Sequence, residues 1–191
     1  MEKIVLASAS PRRRELLAQI GIKSPIVAPA DADESVFDGL EPEEMVLSLA
    51  ALKAEASAKN FPEDHIVIGS DTVVVVDGAV CGKPKDRADA ERMIRSLSGR
   101  SHKVLTGLCV IRGKEKITEL GKAEVWFRDL SESEICGYCA SSEPYDKAGA
   151  YGIQGLAAAF AERIDGDYYS IVGLPLCALA RILSDMGVSL F

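Results

Sequence analysis

Positive charge is concentrated at Arg12, Arg13 and Arg14, directly after Ser8, Ser10 and Pro11 in the stretch LASASPRRRELL. Serine followed by proline reads as a helix N-cap with proline in the first turn. That end of a helix carries the positive half of the macrodipole, so each cation there costs about 0.3–1 kcal/mol before the three repel one another. A bound anion reverses the sign. Free backbone N–H groups, the hydroxyls of Ser8 and Ser10 and the guanidinium forks of Arg12 and Arg13 all suit a phosphate-sized target. Arg14 is read as solvated.

Asp71 is the second anomaly, a carboxylate inside the β-branched run VIGSDTVVVV. Burying it is costly unless it meets a cation, a metal or hydrogen-bond donors. It is either an ion-paired or turn residue, or a metal-binding carboxylate or general base. Lys53 follows Leu49 by four residues on an otherwise inward helix face, and Lys83 is held between Gly82 and Pro84 in CGKPKD. With Arg12, Arg13 and Glu34, from an acidic cluster that also holds Asp31 and Asp33, these make the set that phosphoanhydride chemistry needs. Cations bind and neutralise phosphates, while carboxylates hold Mg²⁺ and orient water. The segment EPYDKAGAYGIQG adds backbone able to approach a ligand closely, and Gln154, whose amide both donates and accepts, suits a nucleobase edge.

Other chemistries find little support. The chain has no G-x-x-x-x-G-K-[ST], G-x-G-x-x-G, G-x-S-x-G or H-E-x-x-H motif, and its two histidines are His65 and His102. Cys136 and Cys139 form a C-x-x-C past the first turn of an expected helix, with no second pair for zinc, and read as small apolar core residues.

The 22 Lys+Arg stand against 29 Asp+Glu, a net charge of −7 that disfavours nucleic acid or an anionic membrane as partner. Aromatic content of 6% leaves few platforms for base stacking. Five cysteines, an odd number, point to reduced thiols in the cytoplasm. The apolar run Ile4 to Ala7 is too short for a signal-peptide core, and Ile171 to Leu183 falls below the roughly 18 residues of a membrane span.

The elements that must position these groups read as α/β. A strand at Lys3 to Ala7 runs into the Ser10/Pro11 helix, which Gly21 stops. A short strand is expected at Ile26-Val27 and a helix from Pro42 to about Asn60, with Val46, Leu49, Ala50 and Ala56 inward. His65 to Val76 reads as a central strand, turned at Gly78 into Ala79 to Cys81. A helix over Asp86 to Leu97 precedes two long strands, Lys103 to Arg112 and Lys116 to Arg128, joined at Gly113. Ser131 to Glu134 is a capping box. A strand near Ala157 to Ile164 and a helix over Leu174 to Met186 end the pattern.

In its ordered blocks, LASASPRR, GSDTVV, GKPKD, LSGRSHKVLTG and EPYDKAGAYGIQG, the chain resembles the Maf family of nucleoside triphosphate pyrophosphatases along essentially its whole length. The resemblance implies a single domain over 1–191, with an elongated, twisted mixed sheet flanked by helices of the inosine-triphosphatase-like kind, two lobes around a cleft, and a homodimer. It implies cleavage between the α- and β-phosphates, giving a monophosphate and pyrophosphate with a divalent metal (Mg²⁺ or Mn²⁺), and so removal of non-standard or excess nucleotides. By matching position, Asp71 is the implied catalytic carboxylate, sharing the metal with Glu34. Ser8, Arg13, Lys53 and Lys83 bind phosphate, while Arg12, Thr72 and Gln154 select the base. The wording DKAGAYGIQG is similar to the branch acting on dTTP and UTP. The rivals are a pyrophosphatase for a modified or methylated nucleotide and a non-catalytic nucleotide-binding regulator of cell division.

Overall fold

A computed structural model describes residues 3–29 and 39–190. Glu34, with Asp31 and Asp33, lies outside the described residues. The fold is mixed α/β. Its strands are β1 (Ile4–Leu6), β2 (Ile26–Val27), β3 (Ile66–Val76), β4 (Ala79–Cys81), β5 (Ser101–Arg112), β6 (Glu115–Phe127) and β7 (Ala161–Gly166). Its helices are α1 (Pro11–Gln19), α2 (Pro42–Ala58), α3 (Arg87–Leu97), α4 (Glu132–Cys139), α5 (Tyr168–Val172) and α6 (Leu176–Asp185). The strands form one sheet in the order β2-β1-β3-β5-β6-β7, with β4 paired to β3. None of the described helices is long and apolar enough to cross a membrane.

The chain divides into two compact units, and β3, β5 and β6 each contribute residues to both. The first comprises 1–71, 106–121 and 173–191. Here β1 pairs in parallel with β2 and with β3, Val5 opposite Ile26 and Val67. Parallel strands buried on both faces need continuous apolar sequence, which IVL and IVI supply. A buried cluster of Val5, Ala7, Ala50, Ala54, Val67, Cys109 and Ile111 joins these strands and β5 to α2. Helix α2 approaches unusually closely. A Cβ at Gly69 would lie 2.4 Å from the Ala50 carbonyl oxygen, and one at Gly107 would lie 2.2 Å from that of Val46. Both glycines are therefore required by packing rather than by backbone conformation. The inward residues of α2 are Val46, Leu49, Ala50, Ala54 and Ser57, while Ala56, expected inward, is half-buried.

The second unit comprises 72–105 and 122–172. The end of β3 turns through Asp77 (φ 51°) and Gly78 (φ 79°) into β4, a two-residue hairpin loop whose positive φ values favour Asp-Gly. Strand β7 pairs antiparallel with β6, Val125 opposite Ile164. The core is aromatic: Phe127 meets His102, Tyr151 and Phe160 edge-to-face at centroid distances of 5.0, 4.9 and 5.9 Å. The capping box opens α4 as the sequence predicts, with Ser131 and Glu134 exchanging bonds. Cys139 is buried there and Cys136 half-buried, both reduced.

Two expectations need correction, and one helix was not expected. The strand expected over Ala157 to Ile164 is a 3₁₀ turn at Leu156–Ala159 followed by β7 from Ala161. The reason is the Glu143 carboxylate, which takes the Leu156 and Ala157 N–H groups that a strand would have offered a neighbour. The last helix starts at Leu176 rather than Leu174, with Pro175 at its N-cap and Gly173 at φ 120° before it. The short helix α5 has no counterpart in the periodicity; the Asp167 carboxylate accepts from the Tyr169 and Ser170 N–H groups and starts it.

Candidate functional site

Five of the expected site residues, Ser8, Arg12, Arg13, Lys53 and Asp71, lie in the first unit. Ser10 caps α1 by accepting from the Arg13 N–H (3.5 Å), with Pro11 in the first turn. This fixes the direction in which the helix leaves β1. The Ser8 hydroxyl oxygen, nearly buried, accepts from the Ser10 N–H (3.2 Å) and from Arg13 Nη1 (3.0 Å). Arg13 Nε donates to the Gly173 carbonyl (2.8 Å), and the fully buried Ser70 hydroxyl donates to the same oxygen (3.0 Å). Arg13 is thus held as a fork by a hydroxyl and a carbonyl, the way guanidinium groups are pre-oriented for planar anions. Arg12 is half-buried and Arg14 exposed. A small depression at this helix start is lined by Ser8, Ala9, Ser10, Pro11, Val27 and Arg14. Arg14, read as merely solvated, therefore rims it.

Lys53 and Asp71 form the second half. Lys53 Nζ lies 2.5 Å from Asp71 Oδ1, the side chains only 17% and 15% exposed. The close approach of α2 at Gly69, two residues before Asp71, brings the lysine face of the helix onto the strand. The ion-pair reading of Asp71 is met: its charge is compensated by Lys53, and it is not fully buried. Removing one partner of such a pair leaves an uncompensated charge with little water around it. Ser70, next to Asp71 in β3, shares the Gly173 carbonyl with Arg13, so one backbone oxygen ties the arginine to the strand that carries the carboxylate.

Among the described residues no group of three His, Cys, Asp or Glu is arranged for a metal; Asp71 offers one carboxylate, paired with Lys53. Mg²⁺ is commonly held by one or two carboxylates with the remaining ligands from substrate phosphates and water. Glu34, the other expected ligand, lies outside the described residues.

In the second unit Thr72 is half-buried in β3, while Lys83 and Gln154 are exposed. The loops carrying the latter two are joined: the Gly149 N–H donates to the Gly82 carbonyl (3.0 Å). Gly149 has φ 68°, and a Cβ there would meet Val74 at 2.9 Å, so glycine is needed twice over. Tyr151 is buried and its hydroxyl meets His102 Nε2 at 2.8 Å. Burial pushes the His102 imidazole down to about 4 and the Tyr151 phenol well up, so both are neutral at pH 7. Nδ1 of His102 is buried with no hydrogen-bond partner.

Sequence reasoning missed Ser70, Gly173 and Glu143. Ser70 carried a signal, a polar residue beside Asp71 in an apolar strand. A carbonyl such as that of Gly173 carries none.

Curated relatives and a family model match nearly the whole chain. The family model described as Maf-like protein matches residues 3–186. A curated relative named dTTP/UTP pyrophosphatase from Symbiobacterium thermophilum is 49% identical over 191 residues, covering 100% of this chain and 97% of that protein. Another of that name from Bacillus anthracis is 45% identical over 188 residues, covering 98% and 97%. Among solved structures, a HAM1 protein from Coxiella burnetii is 18% identical with a TM-score of 0.46, over 66% of this chain and 73% of that one. With the family model spanning nearly every residue, this chain belongs to the Maf-like protein family.

Proposed function

We propose that this chain hydrolyses nucleoside triphosphates, dTTP and UTP above others, between the α- and β-phosphates to give the monophosphate and pyrophosphate. The observation that carries the reading is the Lys53–Asp71 pair, a carboxylate and an ammonium side by side in a chain whose full-length relatives are named dTTP/UTP pyrophosphatase. Removal of non-standard or excess nucleotides is the cellular role that follows.

Roles are assigned residue by residue. Asp71 accepts the proton of the attacking water. Lys53 and Arg13 neutralise charge on the departing pyrophosphate, the term expected to dominate where positioning and electrostatics do most of the catalysis. Ser8 holds Arg13 and offers a hydroxyl at the helix start, where backbone N–H groups favour phosphate. Lys83 is assigned to phosphate, and Arg12, Thr72 and Gln154 to the base, on family resemblance. Asp71 and Glu34 would hold a divalent cation, Mg²⁺ or Mn²⁺, which would supply charge neutralisation and Lewis acidity to the reaction. A single domain, a homodimer and a cytoplasmic location complete the reading, the last supported by five free thiols; nucleic acid and membranes are not partners in it.

The test is product identity. With a panel of triphosphates and Mg²⁺, phosphorus NMR should show monophosphate and pyrophosphate from dTTP and UTP. Orthophosphate, or no product from any triphosphate, rejects the reading.

A further inference from the structure

Glu143 is a hub that the roles above do not use. Its Oε2 accepts from the Leu156 N–H (2.7 Å), and its Oε1 accepts from the Ala157 N–H (3.3 Å) and the Tyr138 hydroxyl (3.2 Å). Its carbonyl accepts from Lys147 Nζ (2.6 Å). A carboxylate that spans thirteen residues to cap a turn closes the intervening segment into a loop, and its charge makes those bonds stronger than neutral ones.

Gln154 stands near the C-terminal end of that loop, two residues before Leu156. The Gly155 N–H donates to the Gly152 carbonyl (3.0 Å), so Gln154 is the third residue of a tight turn. Both ends of the turn lie on Glu143. A Cβ at Gly155 would stand 2.3 Å from its Oε2, and one at Gly152 would stand 3.4 Å from its Oε1 and 2.8 Å from Lys147 Cε. Behind the turn, Tyr151 and Ile153 are buried, and Tyr151 is fixed by His102. Within the turn, the exposed side chain is the Gln154 amide, with Gly155 and Leu156 exposed beside it.

We propose that Glu143 is a positioning residue for base selection, setting the turn that presents the Gln154 amide to the pyrimidine edge. This rests on the assignment of Gln154 to the base. Thymine and uracil offer an O4 acceptor and an N3–H donor, whereas cytosine offers the reverse pattern, an N4 amino group and a bare N3. One amide held in one orientation separates them; an amide free to turn over satisfies both.

The readout is the ratio of kcat/KM for dTTP over dCTP, which a purely structural loss does not move. Glu143→Ala lowers the ratio at least about tenfold, mainly through the KM for dTTP. Glu143→Gln, which still offers an acceptor to Leu156, keeps it within about threefold. Gln154→Ala lowers it as far as Glu143→Ala, and the double variant lowers it no further, because the two act as one unit. Gly155→Ala, which forces the turn off the carboxylate, lowers it too and carries the test if Glu143→Ala does not fold. A wild-type ratio in Glu143→Ala or Gly155→Ala, with kcat reduced equally for both nucleotides, overturns the proposal. A wild-type ratio in Gln154→Ala also overturns it and removes Gln154 from base recognition, while release of pyrophosphate from dTTP by the native protein keeps the hydrolase reading standing.

Discussion

Arg13 and Ser70 donate to the same atom, the carbonyl oxygen of Gly173, at 2.8 and 3.0 Å. One residue comes from the start of α1, the other from β3 beside Asp71. A carbonyl with two lone pairs can accept both, and doing so holds the arginine at a fixed place relative to the strand of the carboxylate. The arginines at a positive helix pole therefore divide by role. Arg13 is positioned by the fold, Arg12 is half-buried, and Arg14 rims the depression around Ser8 and Ser10.

Ser70→Ala removes one of the two donors while leaving the carbonyl bonded to Arg13. The expected loss is about 1 kcal/mol of stability, the net worth of one hydrogen bond, read as a lower urea midpoint. A rise in the KM for dTTP with kcat little changed accompanies it, through a loosened Arg13.

Arg13→Lys keeps the charge and loses the fork. Lysine is a point charge and cannot bond Ser8 and Gly173 while facing a phosphate. The prediction is a fall in kcat/KM for dTTP of at least about tenfold, with the thermal midpoint lowered by about 2–4 °C for each bond lost. Steady-state pyrophosphate release and a melting curve measure the two.

Gly69→Ala tests the route by which Lys53 reaches Asp71. The added methyl meets the Ala50 carbonyl at 2.4 Å and the Ala54 Cβ at 2.8 Å, and α2 must move outward. Overpacking of this kind costs about 1–3 kcal/mol. Denaturant unfolding measures the loss, and activity should fall further than stability because the pair is pulled apart.

His102 sets a pH dependence. Burial holds its folded value down to about 4, below the ordinary 6.5, so the folded protein keeps it neutral while the unfolded chain takes up a proton first. Its contribution is therefore complete above about pH 6.5 and is lost as pH falls towards about 4, amounting to about 3 kcal/mol at most. Urea midpoints measured across that window should fall, and His102→Phe should flatten the slope.

What the sequence made legible was local or chemically anomalous. Ser10, Pro11 and Gly21 bound α1 because caps and stops act within a few residues. Asp71 and Lys53 stood out as charges on faces that should be apolar, although nothing in their spacing of eighteen showed that they touch. Their meeting depends on Gly69 admitting α2 against β3, a contact between distant segments. Ala157 to Ala159, expected at the start of a strand, lie instead in the 3₁₀ turn, where the Leu156 and Ala157 N–H groups are claimed by Glu143 from far up the chain. The Gly173 carbonyl was invisible because any residue carries one; only the fold decides what it accepts.

The most direct test of the account is Asp71→Asn. Asparagine keeps the size and one carbonyl oxygen for Lys53 but cannot take a proton from water or offer a charged oxygen to a cation. Single-turnover release of pyrophosphate from dTTP, measured beside equilibrium binding of the nucleotide, should show turnover reduced by about 10²–10⁴-fold with binding retained. A rate near that of the native protein would contradict the central role of Asp71.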